Sequence, residues 1–371
     1  MRVCLMPSAF FPSRGGVEEL TLKVALELQR RGHDVVVVAN RWPGKPPAED
    51  QIEGVPVRRL DFLAPSRRPR SVVAWLGARQ RSIARLRELP RPDVLHVVCA
   101  STQLDAAIAF SQRDRIPLVL TTQGEVVMDA ESRYQRSLYL RQLLRTASKR
   151  ADALTACSSW TACASAGVAP RLANALVILN GVDAQDWDVG PPTQDPVICA
   201  WGRHVHQKGF DLLLAAFPHV RALLPSAQLL VGGSGQETAS LQRLAGDGVT
   251  FLGSLDRAGV RRLLARSRVA VVPSRIEPFG IVALEALAAG RGLVYAQGTG
   301  LEEAAGGLGT AADVTNPNRL AEAIMAELRD PTSPNAGRSR ARELAWSRQV
   351  DQYEQVYTEA LESRLANRRV T

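Results

Sequence analysis

The sequence predicts an α/β chain built as two domains, each a parallel sheet layered with helices. Short β-branched runs such as Val35–Val38 and Val269–Val272 alternate with helical stretches along nearly the whole chain, the rhythm of repeated βαβ units. A length of 371 residues suits two domains with substantial cores. A break rich in Gly, Asp and Pro, Asn180 to Pro196 (GVDAQDWDVGPPTQDP after the Asn), divides that rhythm into halves.

Taken in order, MRVCLMPSAFF opens the chain as a strand, Arg2–Pro7; its apolar run is too broken for a signal peptide. Gly15-Gly16 makes a flexible turn into a helix, Val17 to Arg31, whose first N–H groups could cradle a phosphate. Further strands are expected at Asp34–Ala39, Val94–Val98, Pro117–Thr122, Ala153–Cys157 and Ala175–Leu179. The second half offers Val197–Trp201, Gln228–Val231, Val249–Leu252, Val269–Val272 and Leu293–Ala296. After Ala311 the pattern is mostly helical and ends in a long polar helix around Trp346–Leu365. These patterns place one domain at residues 1–185, a second at 195–345, and a C-terminal helix at 346–371.

Composition narrows the class. Hydrophobic content of 46% with 22% charge is that of an ordinary globular protein, and no apolar run reaches the ~18–20 residues of a membrane span. Five scattered cysteines, an odd number placed mostly in strands, point to reduced thiols in a cytoplasmic protein. Residues 1–180 hold 26 Lys/Arg against 16 Asp/Glu, so the whole basic excess of +9 belongs to the first half. Its densest part, Arg67–Arg91, has eight arginines and one acid, Glu88. Read as a helix it has an apolar side (Val72, Trp75, Leu76, Ile83, Leu86) and a basic one. That pattern fits a solvated face, an anionic substrate, or peripheral contact with the inner face of a membrane. No nucleic-acid motif accompanies the charge, and no nucleic-acid partner is expected.

Chemistry concentrates in RVAVVPSRIEPFGIVALEALAAG, residues 268–290. A strand ends at Pro273-Ser274, a loop carries Glu277-Pro278, and a helix is expected from about Phe279 to Ala289. Its first N–H groups suit an anion, and Gly280 lets backbone approach a ligand. Glu277 ahead of the helix and Glu285 about two turns in could accept hydrogen bonds from hydroxyls of one extended ligand, or simply cap and solvate the helix. Earlier, VICAWGRHVHQKGFDLLL places Arg203 and Lys208 between a strand and a helix, where they could hold a diphosphate. His204 and His206 lack a third ligand, so no metal is expected. The glycine cluster Gly232–Glu237 lacks the third glycine and the distant acid of a dinucleotide site.

PSRIEPFGIVALEALAAG resembles the E-x7-E motif of the retaining glycosyltransferases of family 4, and GRHVHQKG their G-R-x-x-x-x-K-G element. GGVE followed by RRGHDVVVVA is similar to their N-terminal signature, and the likeness runs along nearly the whole chain. It implies the GT-B fold, two facing Rossmann-like domains with a cleft between them, the C-terminal helix crossing back to the first. It also implies a metal-independent, cofactor-free transfer with retention. The donor would be a nucleotide-sugar, UDP-GlcNAc, UDP-glucose or a related UDP-hexose, and the acceptor a small molecule, natural product or lipid-linked hydroxyl. By resemblance, Arg203 and Lys208 bind the diphosphate, Glu277 sugar hydroxyls, Glu285 ribose hydroxyls, and Pro278, Phe279, Gly280, Gly15 and Gly16 line the donor site. Gln123, in TTQGE, stands where many members carry a histidine against the transferring sugar; glutamine keeps the hydrogen bonds and cannot titrate. Two other readings are a nucleotide-sugar epimerase and a non-catalytic partner of similar fold.

Overall fold

A computed structural model of the chain describes residues 1–371 apart from 14, 42, 43, 45, 67, 129–132 and 371. Arg67, at the head of the basic stretch, therefore lies outside the described residues. The chain divides into two compact units, Met1–Ile178 with Trp346–Thr371, and Leu179–Ala345. The Asn180–Pro196 break groups with the second unit.

The first unit is an eight-stranded sheet: β1 (Arg2–Leu5), β2 (Asp34–Asn40), β3 (Glu49–Ile52), β4 (Val55–Leu60), β5 (Val94–Val97), β6 (Leu118–Thr122), β7 (Ala153–Ala156) and β8 (Leu176–Val177). Their order across the sheet is β3-β4-β2-β1-β5-β6-β7-β8. All pairs are parallel except β3 with β4, so the purely parallel sheet expected from the sequence is corrected at this edge. The reason is local: Glu53 and Gly54 both take positive φ, 48° and 85°, which turns the chain back in a two-residue hairpin. Every residue of β5 and β6 is buried, as strands covered on both faces must be.

The helix Trp346–Val370 packs onto this sheet. Trp346, Val350, Tyr353, Tyr357 and Ala360 recur at helical spacing and are all buried. Burying the Tyr357 hydroxyl requires a partner, and His96 on β5 provides it at 2.7 Å; the other ring nitrogen meets Thr121 Oγ1 at 2.6 Å. Complete burial holds His96 neutral, its pKa pushed down to about 3. Arg31 and Arg364 fasten the helix from outside, Arg31 donating to the Ser347 carbonyl and Asp351, Arg364 forking onto Asp152.

The second unit has six parallel strands: β9 (Val197–Trp201), β10 (Gln228–Gly232), β11 (Val249–Gly253), β12 (Val269–Val272), β13 (Gly292–Ala296) and β14 (Thr310–Ala312). Their order is β11-β10-β9-β12-β13-β14. β12 and β13 are buried throughout, and each fully covered Val or Leu contributes roughly 1.5–3 kcal/mol. The helix Ile281–Ala288 is buried along most of its length because alanines at 283, 286 and 288 admit close neighbours. Four of the five cysteines are buried, and Cys163 is exposed.

Candidate functional site

In the second unit the chain leaves β9 toward β10 on one side and comes back to β12 on the other. The loops after β9 and β12 therefore diverge, and such a switch point opens a crevice at the carboxyl ends of the strands. Arg203 and Lys208 occupy the first loop, and Ser274 to Gly280 the second.

Two glycines set how these loops fit. Gly209 (φ 65°) ends the turn His206–Lys208 and starts the helix Phe210–Leu223; a Cβ there would fall 2.1 Å from the Pro273 carbonyl oxygen, so only glycine lets the loops approach. Gly280 (φ 95°) precedes the helix, which starts at Ile281 rather than the expected Phe279. The space a Cβ would take at Gly280 is filled by Leu301, 2.3 Å away, so packing inside the unit already demands this glycine. Phe279, expected to line the donor site, is only 1% exposed and is a core side chain.

Polar bonds stitch the loops together. Arg275 forks onto Asp211 at 2.7 and 2.6 Å and also donates to the His206 carbonyl; this guanidinium holds the Asp211 carboxyl below the usual range. The Ile276 N–H donates to the Gln207 carbonyl. Lys208 Nζ donates to Glu277 Oε2 at 2.5 Å, and Ser274 Oγ donates to the same oxygen at 3.0 Å. Glu285 Oε2 accepts from the Trp201 indole N–H at 3.2 Å, while Arg203 is exposed. Both glutamates of the E-x7-E spacing thus touch the loop-bearing end of β9, one through Lys208 and one through Trp201. The sequence reading assigns Lys208 and Glu277 to different parts of a ligand by resemblance and does not show that they also pair with each other, as they do in the fold. It also missed Ser274 and the Arg275–Asp211 clamp, since nothing in PSRIEP or GFD says which residues meet across the two loops.

His204 is buried, with its ring edge against Phe210 and Phe251 and its Nδ1 at 3.0 Å from Thr238 Oγ1; burial lowers its pKa. His206 is exposed. Among the described residues no three His, Cys, Asp or Glu side chains are grouped to hold a metal.

The first unit has its own switch point between β1 and β5. Gly15 and Gly16 sit there at the head of the helix Gly16–Arg30. A phosphate is a poor fit at this helix start, because Glu18 turns its carboxylate back toward it, accepting from Ser13 Oγ at 2.9 Å; a Cβ on Gly15 would lie 2.7 Å from Glu18 Oε2. Gln123 directly follows β6 and is 9% exposed. Its N–H donates at 2.7 Å to Glu125, whose other oxygen accepts from the Ala100 N–H at 3.0 Å. Burial pushes the Glu125 carboxyl above its usual range and the neighbouring Cys99 thiol far higher. Glu125 ties the ends of β5 and β6 together, a role the sequence showed only as an acid two residues past Gln123.

The chain matches two family models, Glycosyltransferase Family 4 over residues 14–186 and Glycosyl transferases group 1 over residues 182–344. It is 32% identical over 355 residues to the glycogen synthase of Mycobacterium tuberculosis, covering 86% of this chain and 84% of that protein. The chain belongs to the family 4 glycosyltransferases. The transferase is also 31% identical over 304 residues to a GDP-mannose-dependent alpha-mannosyltransferase of Mycolicibacterium smegmatis, with 78% of each chain covered. Its fold is GT-B, and it superposes on sucrose-phosphate synthase from Thermosynechococcus elongatus with a TM-score of 0.77 at 21% identity, covering 98% of this chain and 99% of that one.

Proposed function

We propose that this glycosyltransferase moves a hexose from a nucleoside-diphosphate sugar to an acceptor hydroxyl, with retention and without a metal. The observation that carries the reading is the convergence at the end of β9 of two cations and two carboxylates, Arg203, Lys208, Glu277 and Glu285. Negative charge builds on the departing diphosphate as the glycosidic bond breaks. Arg203, exposed at the mouth of the loop, forks its oxygens, and Lys208 adds a point charge. Glu277, held in place by Lys208 and Ser274, accepts from hydroxyls of the sugar ring. Glu285, steadied by the Trp201 indole, accepts from the ribose. In the first unit Gln123 is read as a further sugar contact by resemblance alone, with Glu125 fixing its backbone.

The family resemblance implies a UDP-hexose as donor, and GDP-mannose is the rival because a 31% identical relative depends on it. The acceptor is a small-molecule or lipid-linked hydroxyl. Incubation of the purified chain with UDP-, GDP- and ADP-hexoses, with and without EDTA, tests the reading by release of the nucleoside diphosphate. Release from one donor, unchanged by EDTA, is the expected result; release requiring added metal, or isomerised donor in place of released diphosphate, overturns it. The anomeric configuration of the product by NMR tests retention.

A further inference from the structure

We infer that the face of the first unit formed by the helices Pro69–Arg87 and Leu138–Arg150 docks on an anionic phospholipid surface, with a groove beside it that takes the lipid phosphate. The helix Pro69–Arg87 fully buries only Ala78, Ser82 and Leu86, half-buries Ser71, Trp75, Gly77, Arg79 and Ile83, and turns its other side chains outward. Of the nine large apolar side chains exposed among the described residues, Leu63, Val72, Val73, Leu76 and Leu138 fall on or beside these two helices. Val73 is 70% exposed and Leu138 79%, far from what a chain wrapped around its own core would leave bare. The two helices adjoin there. Trp75 and Tyr139, each next in sequence to an exposed leucine, meet edge to face at 5.9 Å.

Cations surround this apolar patch. Arg68 and Arg70 are exposed at the head of the helix. Arg81 lies over Gly77, one turn from Val73, with NH1 about where a Cβ would touch it at 3.1 Å, so its charge rides the same outer stripe. Long arginine stems can keep their heads at the phosphate level while leucine and valine side chains sink below it.

Beside Tyr139 a groove of about 600 Å³ runs between the helix Gln103–Asp114 and the helix Leu138–Arg150, lined by Asp105, Arg113, Tyr139, Thr146 and Arg150 among others, with Arg79 the one contribution from Pro69–Arg87. Its one carboxylate, Asp105, already accepts from Trp75 Nε1 at 3.1 Å, Arg79 Nε at 3.0 Å and the Tyr139 hydroxyl at 3.3 Å. Three arginines against one satisfied acid leave the groove basic, and guanidinium groups recognise phosphate oxygens in pairs. Apolar side chains to enter the acyl boundary and a basic groove for the headgroup, joined here through Trp75, Arg79 and Tyr139, are the two parts an interfacial site needs. No helix among the described residues is long and apolar enough to cross a membrane, so the contact is peripheral.

Sedimentation of the full chain with vesicles tests this independently of catalysis. Vesicles of phosphatidylcholine alone are compared with an equal mixture of phosphatidylcholine and phosphatidylglycerol, with glycerol phosphate as the soluble competitor. The expected result is binding to the mixed vesicles only, weakened by salt. R113Q/R150Q should weaken it about twenty-five-fold, since each arginine near an anionic surface contributes roughly fivefold. V73D/L76D should weaken it by at least about tenfold, because both side chains must leave the acyl boundary. Unchanged thermal unfolding of both variants shows that they remain folded. Equal binding to neutral vesicles, no binding, or variants that bind like the wild type overturn the inference. Full competition by glycerol phosphate together with an ineffective V73D/L76D also overturns it, by assigning the groove to a soluble phosphate.

Discussion

Replacing Lys208 by alanine separates a structural role from a ligand-binding one. Lys208 and Glu277 are 17% and 8% exposed and meet at 2.5 Å. Stripping one member from a well-buried pair costs about 3–5 kcal/mol, most of it from the charge left behind. Here the Lys208 position keeps some contact with water and Ser274 Oγ still donates to Glu277, so K208A should cost about 2–3 kcal/mol. The double variant K208M/E277Q removes both charges, and its loss should fall short of the sum of the single losses by about 1.5–2 kcal/mol. Urea unfolding of the wild type, K208M, E277Q and K208M/E277Q, followed by tryptophan fluorescence, measures that coupling. Donor binding by calorimetry on the same proteins, at a temperature where all are folded, should fall in both single variants and in K208M/E277Q. Additive stability losses would refute the pair as a structural link; wild-type donor binding by K208M/E277Q would refute both residues as donor contacts.

Three further outcomes follow from other parts of the fold. G280A should cost about 2–4 kcal/mol, combining a left-handed backbone with a methyl driven toward Leu301, measured as a lowered urea midpoint; a loss below the scatter between wild-type preparations contradicts the packing described. His96, with its pKa pushed down to about 3, binds no proton in the folded state between about pH 6.5 and 3, whereas the unfolded chain does. Stability is therefore lost as pH falls through that window, about 2 kcal/mol by pH 5, and H96N should flatten that part of the pH dependence measured by urea unfolding. E125A should cost about 1–3 kcal/mol, because it removes the acceptor of the N–H groups of Gln123 and Ala100, both buried; an unchanged urea midpoint contradicts its role in tying the ends of β5 and β6.

The parallel strands were legible because runs such as DVVVVAN and VAVV can be satisfied only between covered faces. The hairpin β3–β4 was harder to see: EDQI is polar and its burial pattern largely exposed, leaving Glu53-Gly54 as its only local signal. β14 is three residues of Thr and Ala, too short to show a period. At the site, spacing located Arg203, Lys208, Glu277 and Glu285 on two strand-end loops, but pairing across loops depends on strand order. That order brings Lys208 to Glu277 and Trp201 to Glu285, and no one-dimensional pattern contains it. Gly280 shows the same limit from the other side: the sequence explained it by a ligand, while Leu301, twenty-one positions on, already requires it.

The central claim is that the ends of β9 and β12 bind a nucleoside-diphosphate sugar. Its most direct test is calorimetric titration of UDP-, GDP- and ADP-hexoses into the wild type, R203A and E285A. The account predicts binding of one donor, weakened about ten- to a hundredfold by R203A through the lost charge-assisted phosphate contact and also weakened by E285A. Binding that survives both substitutions unchanged, or no binding of any donor by the wild type, would contradict it.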